Sequence, residues 1–326
     1  MVRSAYKNKK TRKRPNRSHL PSHRGKRTRN RNYYRLKGGS TATPMKKAVV
    51  FVLDPDGGFF SIYYSILRVY VYAKKLNLPF FIDHHNWQYT YKDGWHDYLK
   101  SFNSLNKEDK FDLIEYYRNG ATNEVIGELT MAEFIEAIKE TFILQDHIQQ
   151  SIDSYIEGIG GEYTSLYVRR GDKIQEAPFI SLDEILTHTT IKDDGRKIFV
   201  QTDDYSIVTE MRSKFPSCSI MTLTKENATG ADNNGIINMT PEERKTHTEE
   251  LLISCVISAR ASIGWVYYLS NVGTFIKLLG FDHIHVYLED KYASQEEIDN
   301  TYRLESKYKD ILAASEGIRK VMAQNR

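Results

Sequence analysis

The sequence predicts an α/β fold with two Rossmann-like domains facing a cleft. Three observations predict it. Short, mostly apolar runs recur at 48–53, 79–83, 163–168, 197–201, 219–223 and 283–288. Segments of helical period lie between them, the alternation expected of parallel sheets with covered faces. A glycine-rich break at 158–161 separates two such alternating halves.

Size and composition agree with this reading. A chain of 326 residues is long enough for two domains. Hydrophobic residues make up 40% and charged residues 27%, an ordinary globular balance. Two cysteines exclude a disulfide scaffold and point to a reducing compartment. No apolar run approaches the ~18 residues of a membrane-spanning helix, and the basic first residues have no apolar core behind them. These features predict a soluble, cytoplasmic protein with neither signal peptide nor transmembrane anchor.

The net charge of +4 conceals an uneven distribution. Residues 1–37 hold 15 Lys/Arg and no Asp/Glu, which leaves the other 289 residues with 31 basic against 42 acidic side chains. The prediction is an acidic body preceded by a disordered basic tail, because so polar a segment cannot bury enough apolar surface to offset its ordering entropy. Such a tail suits non-specific polyanion contact or a nuclear address; simple solvation is the alternative. The expected organisation is a tail and linker over 1–44, an N-terminal Rossmann-like acceptor-side domain over 45–160, a C-terminal Rossmann-like nucleotide-sugar domain over 161–292, and a C-terminal helix over 293–326.

In chain order, the run at 48–53 suits a buried strand, and Asp54, Pro55, Asp56, Gly57 and Gly58 break it as a turn. A helix is expected over 60–76 and a strand over 79–83. One or two helices follow in 128–157. The second half predicts strands at 163–168, 197–201, 219–223 and 283–288, with helices after Ser181 and over 204–214, 242–258 and 270–279. No solenoid repeat is visible.

The most informative stretch is R-R-G-D-K at 169–173, followed by Glu176, Ala177, Pro178 and Phe179. It lies at the carboxyl end of a predicted strand. Clustered cations with a glycine suit an anion site, since an arginine fork grips a diphosphate at two points and Lys adds a point charge. A solvated loop with internal ion pairs is the other reading. Two histidine pairs, His84 with His85 and His283 with His285, raise a metal question, but no further ligand stands at useful spacing. A structural role is expected, and no metal.

The stretch from Tyr167 to Phe179 resembles the first peptide motif, H-x-R-R-x-D, of the α1,2/α1,6/O-fucosyltransferase superfamily. Lys173 and the following Glu176, Ala177 and Phe179 favour its α1,6 branch of core and Nod-factor fucosyltransferases. Asn86, Trp87, Gln88, Tyr89, Gly94 and Trp95 are similar to the family's N-W-R-Y…G-W. Thr202, Asp203 and Asp204 resemble its T-D-D, and Ser270, Asn271 and Val272 its late S-Q/N-V. The four motifs occur in the family's order across about residues 46–290.

The resemblance implies a GT-B-like fold and an inverting, metal-independent transfer of fucose from GDP-fucose to a glycan hydroxyl. GDP-fucose would be the donor substrate, a carbohydrate the acceptor, and no separate cofactor is expected. It implies Arg169 as the essential cation, Lys173 as a second cation and Glu176 as the base. The donor-binding residues expected with them are Gly57, Gly58, Tyr89, Tyr167, Arg170, Asp172, Asp203, Asp204, Glu250, Ser270 and Asn271. For Arg170, Asp172, Asp203 and Asp204, bracing the loop is the favoured role over direct contact. Two departures stand out: Tyr167 replaces the motif's first His, and the family's guanine-binding Asp has no clear counterpart, leaving Glu250 as a substitute carboxylate. No counterpart of the family's coiled coil, membrane anchor or small C-terminal β-barrel is expected. Another nucleotide sugar, a peptide acceptor, or a non-catalytic sugar- or polyanion-binding protein are the alternatives.

Overall fold

A computed structural model describes residues 45–105, 108–119, 129–171, 180–230, 233–267 and 270–287. The predicted tail at 1–37 and helix at 293–326 lie outside the described residues. Two parallel sheets carry the architecture within the compact unit Pro44–Arg326.

The first sheet has the order β3-β2-β1-β4, built from β1 (Lys47–Val52), β2 (Phe80–Asp83), β3 (Asn103–Ser104) and β4 (Leu113–Tyr117). Val49 pairs with Phe80 and Glu115, and every pairing in the sheet is parallel. Helix α1 (Phe59–Lys75) joins β1 to β2 and buries Phe59, Phe60, Ile62, Tyr63, Ile66 and Leu67. It stops where Asn77 takes a positive φ of 53° and Leu78 N–H bonds back to Ala73 O, a left-handed terminus that asparagine tolerates. A short 3₁₀ turn spans Gly94–Asp97. Helices α2 (Met131–Thr141) and α3 (Asp146–Ile159) follow. Thr130 and Glu133 close a reciprocal capping box at the start of α2.

The second sheet has the order β7-β6-β5-β8-β9, from β5 (Thr164–Val168), β6 (Lys197–Thr202), β7 (Ser219–Met221), β8 (Ile263–Tyr267) and β9 (Ile284–Tyr287). It too is parallel throughout. Its helices are α4 (Leu182–Thr187), α5 (Tyr205–Lys214), α6 (Asn233–Asn238), α7 (Pro241–Arg260) and α8 (Asn271–Leu279). Helix α7 starts with Pro241 at its first turn and a Thr240–Glu243 capping box. Helix α3 packs toward this sheet: the Tyr155 and Phe199 ring centroids are 5.8 Å apart, and His147 Nε2 lies 2.6 Å from Glu249 Oε1 on α7.

An aromatic seam joins the two sheets. Phe275 on α8 stacks on Phe60 at 4.2 Å and lies 4.7 Å from Phe142 and 5.8 Å from Tyr63. Such pairs add about 0.5–1.5 kcal/mol each beyond area burial. Tyr63 and Thr141 share a buried 2.8 Å hydrogen bond beneath it. Among the described residues no helix is long and apolar enough to cross a membrane.

In each sheet the first strand is central and its two neighbours are reached in opposite directions. The switch point falls between β1 and β4 in one sheet and between β5 and β8 in the other. Ligands of open α/β sheets bind beyond the carboxyl ends of the strands at such points.

Candidate functional site

A cleft of about 1040 Å³ opens at the switch point of the second sheet. One wall comes from the turn after β1, with Gly57 and Gly58, from Phe59 at the start of α1 and from Tyr89 in the loop after β2. The other comes from the carboxyl ends of β5 and β6, with Tyr167, Arg169 and Asp203, and from Ser270 and Asn271 at the start of α8. Helix α7 closes a side with Glu243, His247, Glu250, Leu251 and Ser254. These positions recur every three or four residues, so one helical face points into the cleft.

Strand β5 is buried along its whole length, and the first residue to leave the sheet is Arg169. Its Nη1 donates to Asp203 Oδ2 at 2.6 Å, while Asp203 Oδ1 accepts from Arg170 N–H at 2.7 Å. One carboxylate from the end of β6 therefore braces two successive residues after β5. The side chains of Arg169 and Asp203 are 17% and 12% exposed, which strengthens the pair relative to a surface one.

Two glycines hold the next turn. Gly171 has φ +64° and Gly230 has φ +112°. A Cβ on Gly230 would come within 2.6 Å of Gly171 Cα, so neither backbone segment can approach the other with a side chain present. Gly230 N–H also donates to Asp203 O at 2.8 Å.

Tyr167, which stands where the family motif has His, is 4% exposed. Its hydroxyl shares a 2.8 Å hydrogen bond with Ser270 Oγ, and its carbonyl accepts from Tyr287 O–H at 2.9 Å. Burial raises the phenol well above its ordinary range. This bond replaces side-chain capping at Ser270, whose Oγ makes none. Asn271 follows as the first residue of α8, and its carbonyl accepts from Tyr64 O–H on α1 at 3.3 Å.

Across the cleft, Tyr89 O–H accepts from Phe59 N–H at 2.9 Å and donates to Gly57 O at 3.4 Å. Burial pushes its phenol up to about 12. Gln88 Nε2 also donates to Gly57 O. The glycine turn is thus held from beneath by the Asn86–Tyr89 motif. Arg244 on α7 reaches the same segment: Nη1 donates to Gln88 O at 2.7 Å and Nη2 to Met239 O at 2.9 Å.

Of the donor-binding candidates, Gly57, Gly58, Tyr89, Tyr167, Asp203, Glu250, Ser270 and Asn271 line this cleft together with Arg169. Glu250 pairs with Lys225 Nζ at 3.1 Å. Arg170 and Asp204 are not in the lining. Arg170 is 5% exposed, and Asp204 caps α5 by accepting from Ser206 N–H at 2.9 Å. Asp172, Lys173 and Glu176 lie outside the described residues. Of the paired histidines, His84 Nδ1 accepts from Trp95 N–H at 3.1 Å, His85 pairs with Asp83 at the surface, and His283 Nε2 lies 2.7 Å from Ala259 O. No group of three or more His, Cys, Asp or Glu among the described residues is placed to hold a metal ion.

Sequence reasoning passed over His247 and Lys225. Helical spacing carried the signal for the first, since His247 precedes Glu250 by one turn. Lys225 sits in a loop after β7, where nothing local marks it.

No family model matches the chain, and no curated protein matches its sequence. Among solved structures, the α1,6-fucosyltransferase NodZ soaked with GDP-fucose is similar at 13% identity, over 72% of this chain and 93% of that one, with a TM-score of 0.49. NodZ from Bradyrhizobium gives the same values. A mutant of Arabidopsis thaliana FUT1 in complex with GDP is 10% identical over 80% of this chain and 74% of that one, TM-score 0.48. POFUT1 in complex with GDP-fucose is 10% identical over 76% and 75%, TM-score 0.39. At such identities and TM-scores these similarities assign no activity.

Proposed function

We propose that the chain is an inverting, metal-independent fucosyltransferase that moves fucose from GDP-fucose to a glycan hydroxyl, in the α1,6-like manner. The observation that carries this reading is the position of Arg169. It leaves the carboxyl end of β5 at the switch point, lines the cleft beside Ser270 and Asn271, and faces the Gly57–Gly58 turn.

In this reading the acceptor oxygen attacks the anomeric carbon from the face opposite the diphosphate. The carbon–oxygen bond to the β-phosphate breaks, and the electron pair leaves with GDP. Arg169 stabilises the charge that develops there, aided by the N–H groups at the start of α8. Lys173 supplies a second cation, and Glu176 takes the acceptor proton. Asp203 holds Arg169 in place, and the bare Gly57–Gly58 backbone leaves room for the diphosphate.

A second reading, transfer from another nucleotide sugar, is favoured by Tyr167. Its hydroxyl is already engaged by Ser270 where the family motif has His. Calorimetric titration with GDP-fucose, UDP-sugars and ADP-sugars, followed by GDP release with a glycan panel with and without chelator, separates the readings. Saturable GDP-fucose binding with acceptor-dependent, chelator-insensitive GDP release supports the first. Binding of a UDP- or ADP-sugar alone supports the second, and binding of none overturns both.

A further inference from the structure

The described lining of the cleft holds two side chains that are cationic at neutral pH, Arg169 and Lys225, and four carboxylates, Asp203, Glu242, Glu243 and Glu250. Arg169 is partnered by Asp203 and Lys225 by Glu250. A diphosphate ester entering this lining brings two more negative charges. Among the described lining residues, His247 is the group able to add positive charge near neutral pH.

His247 lies on the inward face of α7, half-buried, one turn from both Glu243 and Glu250. The groups facing it come from every side of the cleft. Glu242, Glu243 and Glu250 lie on its own helix, Lys225 in the loop after β7, Arg169 at the end of β5 and Asp203 at the end of β6. Helix α6 offers Gly235, Ile236 and Asn238, and the opposite wall Tyr89. Burial holds the imidazole below its ordinary value, Lys225 and Arg169 push the same way, and Glu250 opposes them. Burial and the two nearby cations thus disfavour the imidazolium, while Glu250 favours it.

We propose that His247 is an anion-contacting residue of the nucleotide-sugar site, which takes up a proton as the donor's diphosphate binds, so that donor affinity rises as pH falls. This rests on the reading of the cleft as a nucleotide-sugar site. The reasoning is linkage: a dianionic ligand favours the imidazolium, and the proton then favours the ligand by the same factor. If ligand binding raises the imidazole pKa by about one unit, affinity changes by up to about tenfold across the titration.

GDP-fucose is the probe of choice, because its esterified diphosphate carries a constant charge across this range, whereas the terminal phosphate of GDP itself titrates. Calorimetry from pH 8 to pH 5.5, on the full chain without acceptor, should show Kd falling several-fold, and up to about tenfold, more in wild type than in His247→Gln. The imidazole C–H resonance assigned to His247 should titrate at higher pH with GDP-fucose than without it. That measurement needs only the wild-type protein once the signal is assigned with either His247→Gln or His247→Asn. Equal pH dependence in wild type and variant, or an imidazole titration unmoved by GDP-fucose, overturns the inference and leaves the donor reading intact. Absence of GDP-fucose binding by wild type at every pH overturns both.

Discussion

Asp203 bonds to two successive residues after β5, and Asp203→Asn tests that arrangement. An amide keeps one carbonyl acceptor, so only one of the two bonds, to Arg169 Nη1 or to Arg170 N–H, can persist. Arg169 also loses the opposite charge 2.6 Å away. With side chains 17% and 12% exposed, the pair is poorly screened. Hydrogen bonds to charged groups contribute about 1.5–3 kcal/mol, and a broken buried pair costs more than its net contribution. The expected loss is about 2 kcal/mol, or about 3 °C in Tm for a chain of this size. A double-mutant cycle with Arg169→Ala, read by chemical denaturation, isolates the mutual part, expected at about 1–2 kcal/mol. Additive single-mutant effects, or an Asp203→Asn protein with unchanged Tm, would refute the idea that this carboxylate positions the arginine.

Other outcomes follow from the same geometry. Gly230→Ala places a Cβ 2.6 Å from Gly171 Cα at a φ of +112°, so it should lower stability by more than about 2 kcal/mol and weaken GDP-fucose binding, measured by denaturation and calorimetry. Tyr167→Phe removes the buried hydroxyl contact to Ser270 Oγ and should cost about 1–2 kcal/mol by the same denaturation assay, because the remaining partner is left unsatisfied. Arg244→Lys cannot reach both Gln88 O and Met239 O as the guanidinium does; donor KM should rise more than kcat falls. His84 accepts from Trp95 N–H, and burial keeps its pKa below the ordinary value. The unfolded chain therefore takes up that proton first, so stability should fall as pH drops below about 6.5, and less steeply in His84→Gln, as followed by thermal unfolding.

Much of the fold was legible because apolar runs and glycine breaks coincide with real strand ends. The runs at 48–53 and 163–168 mark β1 and β5, and helices expected at 60–76 and 204–214 run as Phe59–Lys75 and Tyr205–Lys214. Strands β3 and β4 escaped notice. Asn103–Ser104 is two polar residues long, and in Leu113–Tyr117 a central Glu115 interrupts the apolar pattern. Between the expected helices at 242–258 and 270–279, Ile263–Tyr267 forms a strand held between β5 and β9. In the site, motif order identified residues that converge from β1, β5, β6 and α8. The motif resemblance offered Arg170 and Asp204 as donor contacts or as braces of the loop; tertiary context buries the first and uses the second to cap α5. Lys225 gains its place only through folding, since it sits in a featureless loop, whereas the one-turn spacing between His247 and Glu250 on α7 was a signal the sequence held.

Arg169→Ala gives the most direct test of the proposed chemistry. GDP release from GDP-fucose, measured with a glycan acceptor, should fall about 10²- to 10³-fold in kcat, the range seen when one donor to a developing negative charge is lost. Calorimetry on the same protein should still detect GDP-fucose binding. Turnover equal to wild type in a folded, donor-binding Arg169→Ala protein would contradict the assignment of that guanidinium to the departing diphosphate.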